Sequence, residues 1–241
     1  MLLRDKYKAN VESFIQVCHR LAQNMYVTSH GGNLAWKLED DLLLITPTKM
    51  NKGVIQPEDV VFINLKGQVI EGTRRPTGET PVYLKFFNER PDIVSVIHCH
   101  PAAICALAIN KGKNWLMRPL FPETTIEIGP VPIVPYAEPL TEQLAQNFAP
   151  FLQRYNNFIM ENHGLITLTR GDIEWTMLNV EELESTAHSV ILAIQAGGVK
   201  ELNREAVRNL SNVMRTRSLP LFGAPGVVKS LEELYFDMPE A

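Results

Sequence analysis

The sequence has few of the features that mark nucleic-acid-binding, membrane or secreted proteins. No run of Lys or Arg is longer than two residues and the formal net charge is -4, so no basic binding surface for nucleic acid or anionic lipid is expected. No apolar run approaches the roughly 20 residues that a membrane span requires. The first residues, MLLRDKYKANVESF, are charged where a signal peptide would be apolar, so we expect a cytoplasmic protein.

Cysteine is also scarce, and the three that occur are odd in number and lie among apolar residues: Cys18, Cys99 and Cys105. This predicts reduced, packed thiols instead of a disulfide framework. In contrast, 45% of the 241 residues are hydrophobic, which is enough to form a sizeable buried core. With the other classes excluded, small-molecule chemistry is the expected function.

Apolar periodicity predicts alternating helices and strands along the chain. Residues 5–26 have helical spacing, and residues 172–197 predict a long helix that Asp172 caps and Gly197 ends. Residues 93–98 form a β-branched run that suits a buried central strand. Residues 125–136 predict at least one further strand, and residues 158–168 a strand broken by a turn. The pattern is that of an α/β protein.

No internal repeat, low-complexity tract or linker divides the sequence. The economical interpretation is one catalytic α/β domain over residues 1–215, followed by a C-terminal extension over residues 216–241.

Two histidines lie two residues apart in the segment VIHCHP, at the end of the predicted central strand. Side chains at i and i+2 of a strand point the same way, about 7 Å apart, so His98 and His100 could converge on one metal ion while Cys99 faces the core. Alternatively, one histidine packs inside and the other is exposed. A zinc site needs at least three protein ligands, so a further ligand must come from elsewhere.

His163 and Glu79 are the candidates that would complete such a site. His163 follows the apolar run FIM, and Gly164 after it permits a tight turn or a close approach to a ligand. Glu79 precedes a predicted helix with Pro81 in its first turn, where a carboxylate beside a cation could accept a proton. The alternatives are an ordinary loop histidine and a charge that complements the helix dipole.

Several segments, in this order, are similar to one family: TSHGGNLA to a Gly-Asn turn, LLLITPT to an Ile-Thr-Pro loop, and PEDVVFINLKGQVIEG to an Asp-Val-Val hairpin. The segment from RPTGET to VIHCHP resembles Pro-Ser-Ser-Glu followed by His-Thr-His. PYAEPLTEQLA resembles Pro-Tyr-Ala-x-x-Gly-Thr-x-x-Leu, and MENHGLIT an Asn-His-Gly element. Over about residues 8–200 the chain therefore resembles the class II aldolase/adducin family.

The resemblance implies a three-layer α/β/α sandwich around a mostly antiparallel sheet, assembled as a homotetramer with active sites at subunit interfaces. It implies that His98, His100 and His163 bind one divalent ion per subunit, Zn²⁺ or another ion such as Mn²⁺ or Co²⁺. Glu79 would be the catalytic base. Tyr136 matches the tyrosine that exchanges a proton with the aldehyde-derived oxygen at the metal of a neighbouring subunit; alternatively, its phenol simply packs at an interface.

The resemblance also implies a set of phosphate-binding residues from three loops, namely Gly32, Asn33, Thr48, Lys49, Thr77 and Gly78. Three of these depart from the family pattern. Lys49 stands in place of a glycine, and Thr77 and Gly78 replace two serines. A lysine at this position can bind a phosphate as a point charge or pair with a substrate carboxylate, unless it is only a solvated loop residue.

The implied function is that of a metal-dependent class II aldolase. It would reversibly cleave a ketose 1-phosphate to dihydroxyacetone phosphate and an aldehyde through a metal-stabilised ene-diolate. An alternative is a decarboxylase or dehydratase of a sugar-acid or sugar phosphate that uses the same metal site. A non-catalytic, adducin-like scaffold is a further alternative, but it would not need three intact histidines and the glutamate. The expected partners are a sugar phosphate and other copies of the chain.

Overall fold

An eight-stranded sheet forms the centre of the protein, whose computed structural model describes residues 1–237. The strands are β1 (Asn33–Glu39), β2 (Leu42–Ile45), β3 (Val61–Ile63), β4 (Val69–Glu71), β5 (Ser95–Cys99), β6 (Ile133–Val134), β7 (Asn157–Met160) and β8 (Gly164–Thr169). The helices are α1 (Leu3–Lys6), α2 (Lys8–Gln23), α3 (Thr80–Glu89), α4 (Ala102–Ala108), α5 (Pro122–Glu127), α6 (Glu142–Asn147), α7 (Ile173–Gln195) and α8 (Arg204–Thr216).

The sheet has the strand order β4-β3-β2-β1-β5-β8-β7-β6. Every neighbouring pair is antiparallel except β6 and β7, which are parallel. Strand β5 therefore lies in the interior of the sheet, hydrogen-bonded to β1 on one side and to β8 on the other. The expectation of a mostly antiparallel sheet is confirmed.

Two hydrophobic clusters cover the two faces of this sheet. One cluster packs α2, α4 and α7 against the sheet, and the other packs α3, α6 and α8. Alternation along β5 divides its side chains between them, because Ile97 and Cys99 belong to the first cluster and Val96 to the second. The three-layer α/β/α sandwich is confirmed, and Cys99 lies in the core as expected.

The helices and the β7-β8 hairpin agree with the periodicity in the sequence. The amphipathic segment 5–26 corresponds to α2 and the short α1 before it. The long helix α7 begins after Asp172, whose side chain accepts a hydrogen bond of 2.9 Å from the Trp175 backbone N–H. Residues 158–168 form β7 and β8 with a turn between them.

The sequence did not predict strand β1. The strand expected within residues 125–136 is confirmed as β6, which is only two residues long. The first part of that segment instead ends helix α5, which Pro122 begins and whose Thr125 hydroxyl donates back to the Phe121 carbonyl at 2.6 Å. The β-branched residues at the start of this segment suggested a strand, but the helical turn that begins at Pro122 determines the local structure.

Residues after α8 pack on the main core. Phe222, Val228 and Leu231 belong to the same hydrophobic cluster as α3 and α6. The division at residue 215 into a domain and an extension stays a prediction, and residues 238–241 of that extension lie outside the described residues. The three cysteines are free. Over residues 1–237, no helix has the length and hydrophobicity to cross a membrane.

Candidate active site

The two histidines of VIHCHP lie at the end of β5. His98 is 1% exposed, and its Nδ1 atom lies 2.9 Å from the Leu165 carbonyl oxygen of the neighbouring strand. Because a carbonyl can only accept, Nδ1 carries the proton and Nε2 keeps a free lone pair. His100 lies just past the strand, where its backbone N–H donates to the Tyr26 carbonyl at 2.7 Å.

The turn between β7 and β8 brings His163 to the same place. One nitrogen from each of His98, His100 and His163 lies within 4.8 Å of the others, and the two Nε2 atoms of His98 and His100 are 3.1 Å apart. Tetrahedral zinc with bonds of about 2.0–2.1 Å would space its nitrogen ligands by about 3.3 Å. Among residues 1–237, the buried Nδ1 atom of His163 has no hydrogen-bond partner. The three side chains therefore fit one metal ion.

Two glycines let the backbone approach these rings closely. A methyl group added to Gly164 would lie 2.5 Å from His100 Cδ2 and 2.6 Å from the Cys99 carbonyl oxygen. Gly32 has a positive φ of +67°, and a methyl group there would lie 2.9 Å from the His98 carbonyl oxygen. Neither position has room for a side chain, so both glycines are needed to close the site.

Burial keeps the imidazoles in the neutral form that binds metals. Burial is the largest cause that lowers the pKa of His98 to about 3, followed by the charge of His163. Burial also lowers the pKa of His100 to about 3, with further contributions from His98 and His163. The pKa of His163 is lowered by burial as well, although Glu79 opposes this shift.

Glu79 places a buried carboxylate beside the histidines. Its two oxygens lie 3.6 Å from His98 Nε2 and 4.0 Å from His163 Nε2. The Asn33 amide donates to Glu79 Oε2 at 2.9 Å, and the Tyr83 hydroxyl in turn donates to the Asn33 side chain and to its carbonyl oxygen. Glu79 therefore has a fixed orientation at the start of α3.

These groups open into a cavity of about 290 Å³. Of the predicted site residues, ten line it: Gly32, Asn33, Thr48, Lys49, Thr77, Gly78, Glu79, His98, His100 and His163. The cavity is also lined by His30, Lys52 and Leu140, for which the sequence pattern indicates no role. The sequence did not indicate that Lys52 lines the cavity, because the turn-forming residues of TPTKMNKG are typical of a solvated loop.

Backbone conformation reveals how two family glycines have been replaced. Lys49 and Leu140 stand where the family pattern has glycine, and both keep a positive φ, of 53° and 68° respectively. Leu140 also occupies space beside Gly78, because a methyl group on that glycine would lie 2.8 Å from Leu140 Cδ2. The absence of a side chain at Gly78, where the family has serine, therefore leaves the space that the side chain of Leu140 occupies.

Tyr136 is the one predicted site residue that does not line the cavity. Its side chain is exposed, and its backbone N–H donates to Glu161 Oε2 at 3.0 Å. Within a single chain this tyrosine does not meet the histidines, so its catalytic role stays a prediction.

A second cavity, of about 350 Å³, lies near Trp175 and Phe222. Its lining includes Arg170, whose guanidinium already binds Asp92 and the carbonyl oxygens of Leu221 and Gly223. Cavity size alone would therefore select a different place, and the group of three histidines and Glu79 makes the smaller cavity the candidate site.

The fold and this site define the class of protein: an α/β/α sandwich with three histidines and a glutamate beside its central strand. Residues 12–191 match the family described as Class II Aldolase and Adducin N-terminal domain. The chain belongs to this family.

Individual relatives include enzymes with two different names. The chain is 31% identical to a 3-oxo-tetronate 4-phosphate decarboxylase of Pectobacterium atrosepticum, over 70% of this chain and 78% of the relative. It is 31% identical to an L-fuculose phosphate aldolase of Methanococcus maripaludis, over 74% of this chain and 93% of the relative. The crystal structure of YgbL from Klebsiella pneumoniae superimposes with a TM-score of 0.78 at 29% identity, covering 84% of this chain and 98% of that one.

The lowered pKa values predict that the metal-free protein loses stability as the pH falls. Between pH 6.5 and about 3, unfolded His98 and His100 bind protons that the folded chain does not, so the free energy of unfolding decreases. The slope is up to about 1.4 kcal/mol per pH unit for each histidine. Chemical denaturation of chelator-treated protein at pH 7 and pH 5.5 measures it. A His98→Asn/His100→Asn variant should show a shallower slope; an equal slope would contradict the assignment.

Proposed function

We propose that this chain is a metal-dependent carbon–carbon lyase that acts on a phosphorylated hydroxyketone. The observation that supports this most is the convergence of His98, His100 and His163 on one point beside the buried Glu79 carboxylate. A scaffold protein would gain nothing from keeping these four groups together in a cavity. The names of the relatives, an aldolase and a decarboxylase, support the same class of reaction.

The three imidazoles would hold one divalent ion per subunit, Zn²⁺ or another ion such as Mn²⁺ or Co²⁺. Such an ion would supply Lewis-acid chemistry, since its charge would stabilise the negative charge that develops on the oxygens of a hydroxyketone. Neutral histidines suit this chemistry, because they leave the double charge of the ion uncancelled.

Glu79 would move the proton. Its carboxylate lies beside the imidazole nitrogens, so a substrate held there would present its hydroxyl or its α-carbon to the Glu79 oxygens. The Asn33 amide holds one of those oxygens and leaves the other for the proton.

The other part of the cavity suits an anion. Thr48 and Thr77 supply hydroxyl groups, Gly32 contributes backbone to the lining, and the ammonium of Lys49 adds a positive charge at the rim. We propose that this part binds the substrate phosphate, with Lys49 replacing by charge a hydrogen bond lost with the family serines.

Aldol cleavage is the first candidate reaction. When the hydroxyl group loses its proton, the neighbouring carbon–carbon bond breaks and its electron pair remains on the ketone-side carbon. A proton then adds to that carbon, so that a ketose 1-phosphate yields an aldehyde and dihydroxyacetone phosphate. The aldehyde-side oxygen exchanges a proton with a phenol during this step. We propose Tyr136 for this role, from a neighbouring subunit of a homotetramer, since its exposed side chain does not meet the histidines of its own chain.

Decarboxylation is the second candidate, and one observation favours it. Two lysines line the cavity, Lys49 and Lys52, whereas the phosphate of a ketose phosphate supplies a single anionic group. In this reaction the bond to the carboxylate carbon breaks, its electron pair remains on the substrate, carbon dioxide leaves, and a proton adds to the carbon. The product is again a phosphorylated hydroxyketone.

A product assay with metal-loaded protein tests the proposal. Dihydroxyacetone phosphate released from a ketose 1-phosphate supports aldol cleavage, and its release with carbon dioxide from a 3-oxo sugar-acid phosphate supports decarboxylation. Glu79→Gln should keep the metal, since the amide is nearly isosteric, and lose about 10²–10⁴-fold in turnover. The proposal fails if the fully metal-loaded protein turns over neither class of substrate, or if Glu79→Gln has unchanged turnover.

Subunit mixing tests the role of Tyr136. Tyr136→Phe and His100→Ala assemblies should each be inactive, because one lacks the phenol and the other a metal ligand. A mixture refolded together should regain activity, since some sites then combine intact histidines from one chain with an intact phenol from its neighbour. If hybrid assemblies form, as native mass spectrometry can establish, but stay inactive, then Tyr136 does not serve a neighbouring site.

A further inference from the structure

A buried lysine with no assigned role lies in the wall of the candidate active site. Lys52 begins the short 3₁₀ helix Lys52–Val54 and is 1% exposed. Its Nζ atom donates to the carbonyl oxygen of Met50 at 2.9 Å and to that of His30 at 3.3 Å. These contacts use two of the three ammonium protons, which leaves one donor without an acceptor among residues 1–237.

The positive charge of Lys52 also has no paired negative charge. Within residues 1–237, no carboxylate lies within ion-pair distance of its Nζ atom, and Glu79 lies against His98 and His163 instead. A buried charge is costly unless an opposite charge and hydrogen bonds compensate it. Two carbonyl dipoles and the more distant charge of Glu79 compensate Lys52 only in part, so that burial still lowers its pKa although Glu79 opposes this shift. An anionic ligand in the cavity would complete the compensation.

Lys52 acts on the histidine end of the cavity. Its hydrogen bond holds the His30 carbonyl, and the next residue, Gly31, packs against the His100 ring, so that a methyl group on Gly31 would lie 3.1 Å from His100 Nδ1. The ammonium therefore lies in the cavity wall close to the metal-binding rings.

Lys49 has a different environment, although it lies only three positions earlier. Its side chain is exposed at the rim, in a residue with a left-handed backbone, whereas Lys52 is enclosed beside α2. The cavity thus has two cationic groups, one at the rim and one near the histidines. A substrate that uses both has two anionic groups, one next to the metal-chelating oxygens and one farther away.

We propose that Lys52 binds a substrate carboxylate beside the histidine cluster, so that the substrate is a phosphorylated sugar acid whose phosphate binds at the Lys49 end. This inference rests on the proposed lyase function and selects decarboxylation over aldol cleavage. Loss of the carboxylate as carbon dioxide would leave Lys52 unpaired again. The protein would then bind the product more weakly than the substrate, so that a new substrate molecule would readily replace the product.

Two phosphorylated probes separate the two ends of the cavity. Erythronate 4-phosphate carries a carboxylate and a phosphate but no ketone, so it cannot lose carbon dioxide, and dihydroxyacetone phosphate carries the phosphate alone. Calorimetry on metal-loaded protein measures both affinities. The variant Lys52→Gln keeps a hydrogen-bond donor for the carbonyls of Met50 and His30 but removes the charge.

Lys52→Gln should weaken binding of erythronate 4-phosphate by about tenfold or more and change that of dihydroxyacetone phosphate by less than about threefold. Lys49→Gln is the matched control and should weaken both probes alike, because both carry the phosphate. The ratio of the two affinities is measured on one preparation, so partial loss of folded protein does not affect it. Lys52→Arg keeps the charge and should preserve the ratio, which provides a second variant if glutamine prevents folding.

If Lys52→Gln weakens the binding of both probes equally, then Lys52 binds the phosphate or stabilises the loop, and the inference is overturned. Unchanged binding of the acid would overturn it as well. If the unmodified protein binds dihydroxyacetone phosphate but not erythronate 4-phosphate, the carboxylate assignment fails while the lyase proposal stands. If it binds neither probe, the proposed function fails together with the inference.

Discussion

The register between β1, β5 and β8 is the constraint on which the site depends. His98 lies directly opposite Asn33 on β1 and Ile166 on β8. One neighbour therefore orients Glu79 through its amide, while the β8 backbone fixes the tautomer of His98 through the Leu165 carbonyl. A shift of one residue would turn His98 to the other face of the sheet, toward the cluster that contains Cys99. Hydrogen bonds on both sides of an interior strand prevent that shift.

Burial gives the site its electrostatic character. The cavity combines three neutral imidazoles, a carboxylate held by an amide and an ammonium held by carbonyl groups, all in a region where water screens little. Among residues 1–237, dipoles hold Glu79 and Lys52 in place, and the two opposite charges do not form an ion pair with each other. Such an arrangement is costly for the empty protein and favours ligands that supply the missing charges, namely a metal cation near Glu79 and an anion near Lys52.

The sequence predicted the parts of the molecule whose signals are local. The β-branched run before His98 and the Asp172 cap identified β5 and α7, and order along the chain related the histidines to Glu79. Strand β1 and Lys52 were missed for physical reasons. Strand β1 directly follows a Gly-rich turn, and Lys37 and Glu39 interrupt its apolar pattern. Lys52 lies in a polar loop sequence, and it is buried only because the folded loop packs beside α2.

Metal content tests the central claim most directly. The protein is stripped with a chelator, incubated with Zn²⁺, Mn²⁺ or Co²⁺, desalted and measured by elemental analysis. We expect one ion per chain in the unmodified protein and in His30→Ala, which removes a cavity histidine outside the cluster, and almost none in His163→Ala. No retained ion in the unmodified protein, or equal metal content in His163→Ala and His30→Ala, would contradict the assignment of the three histidines as a metal centre.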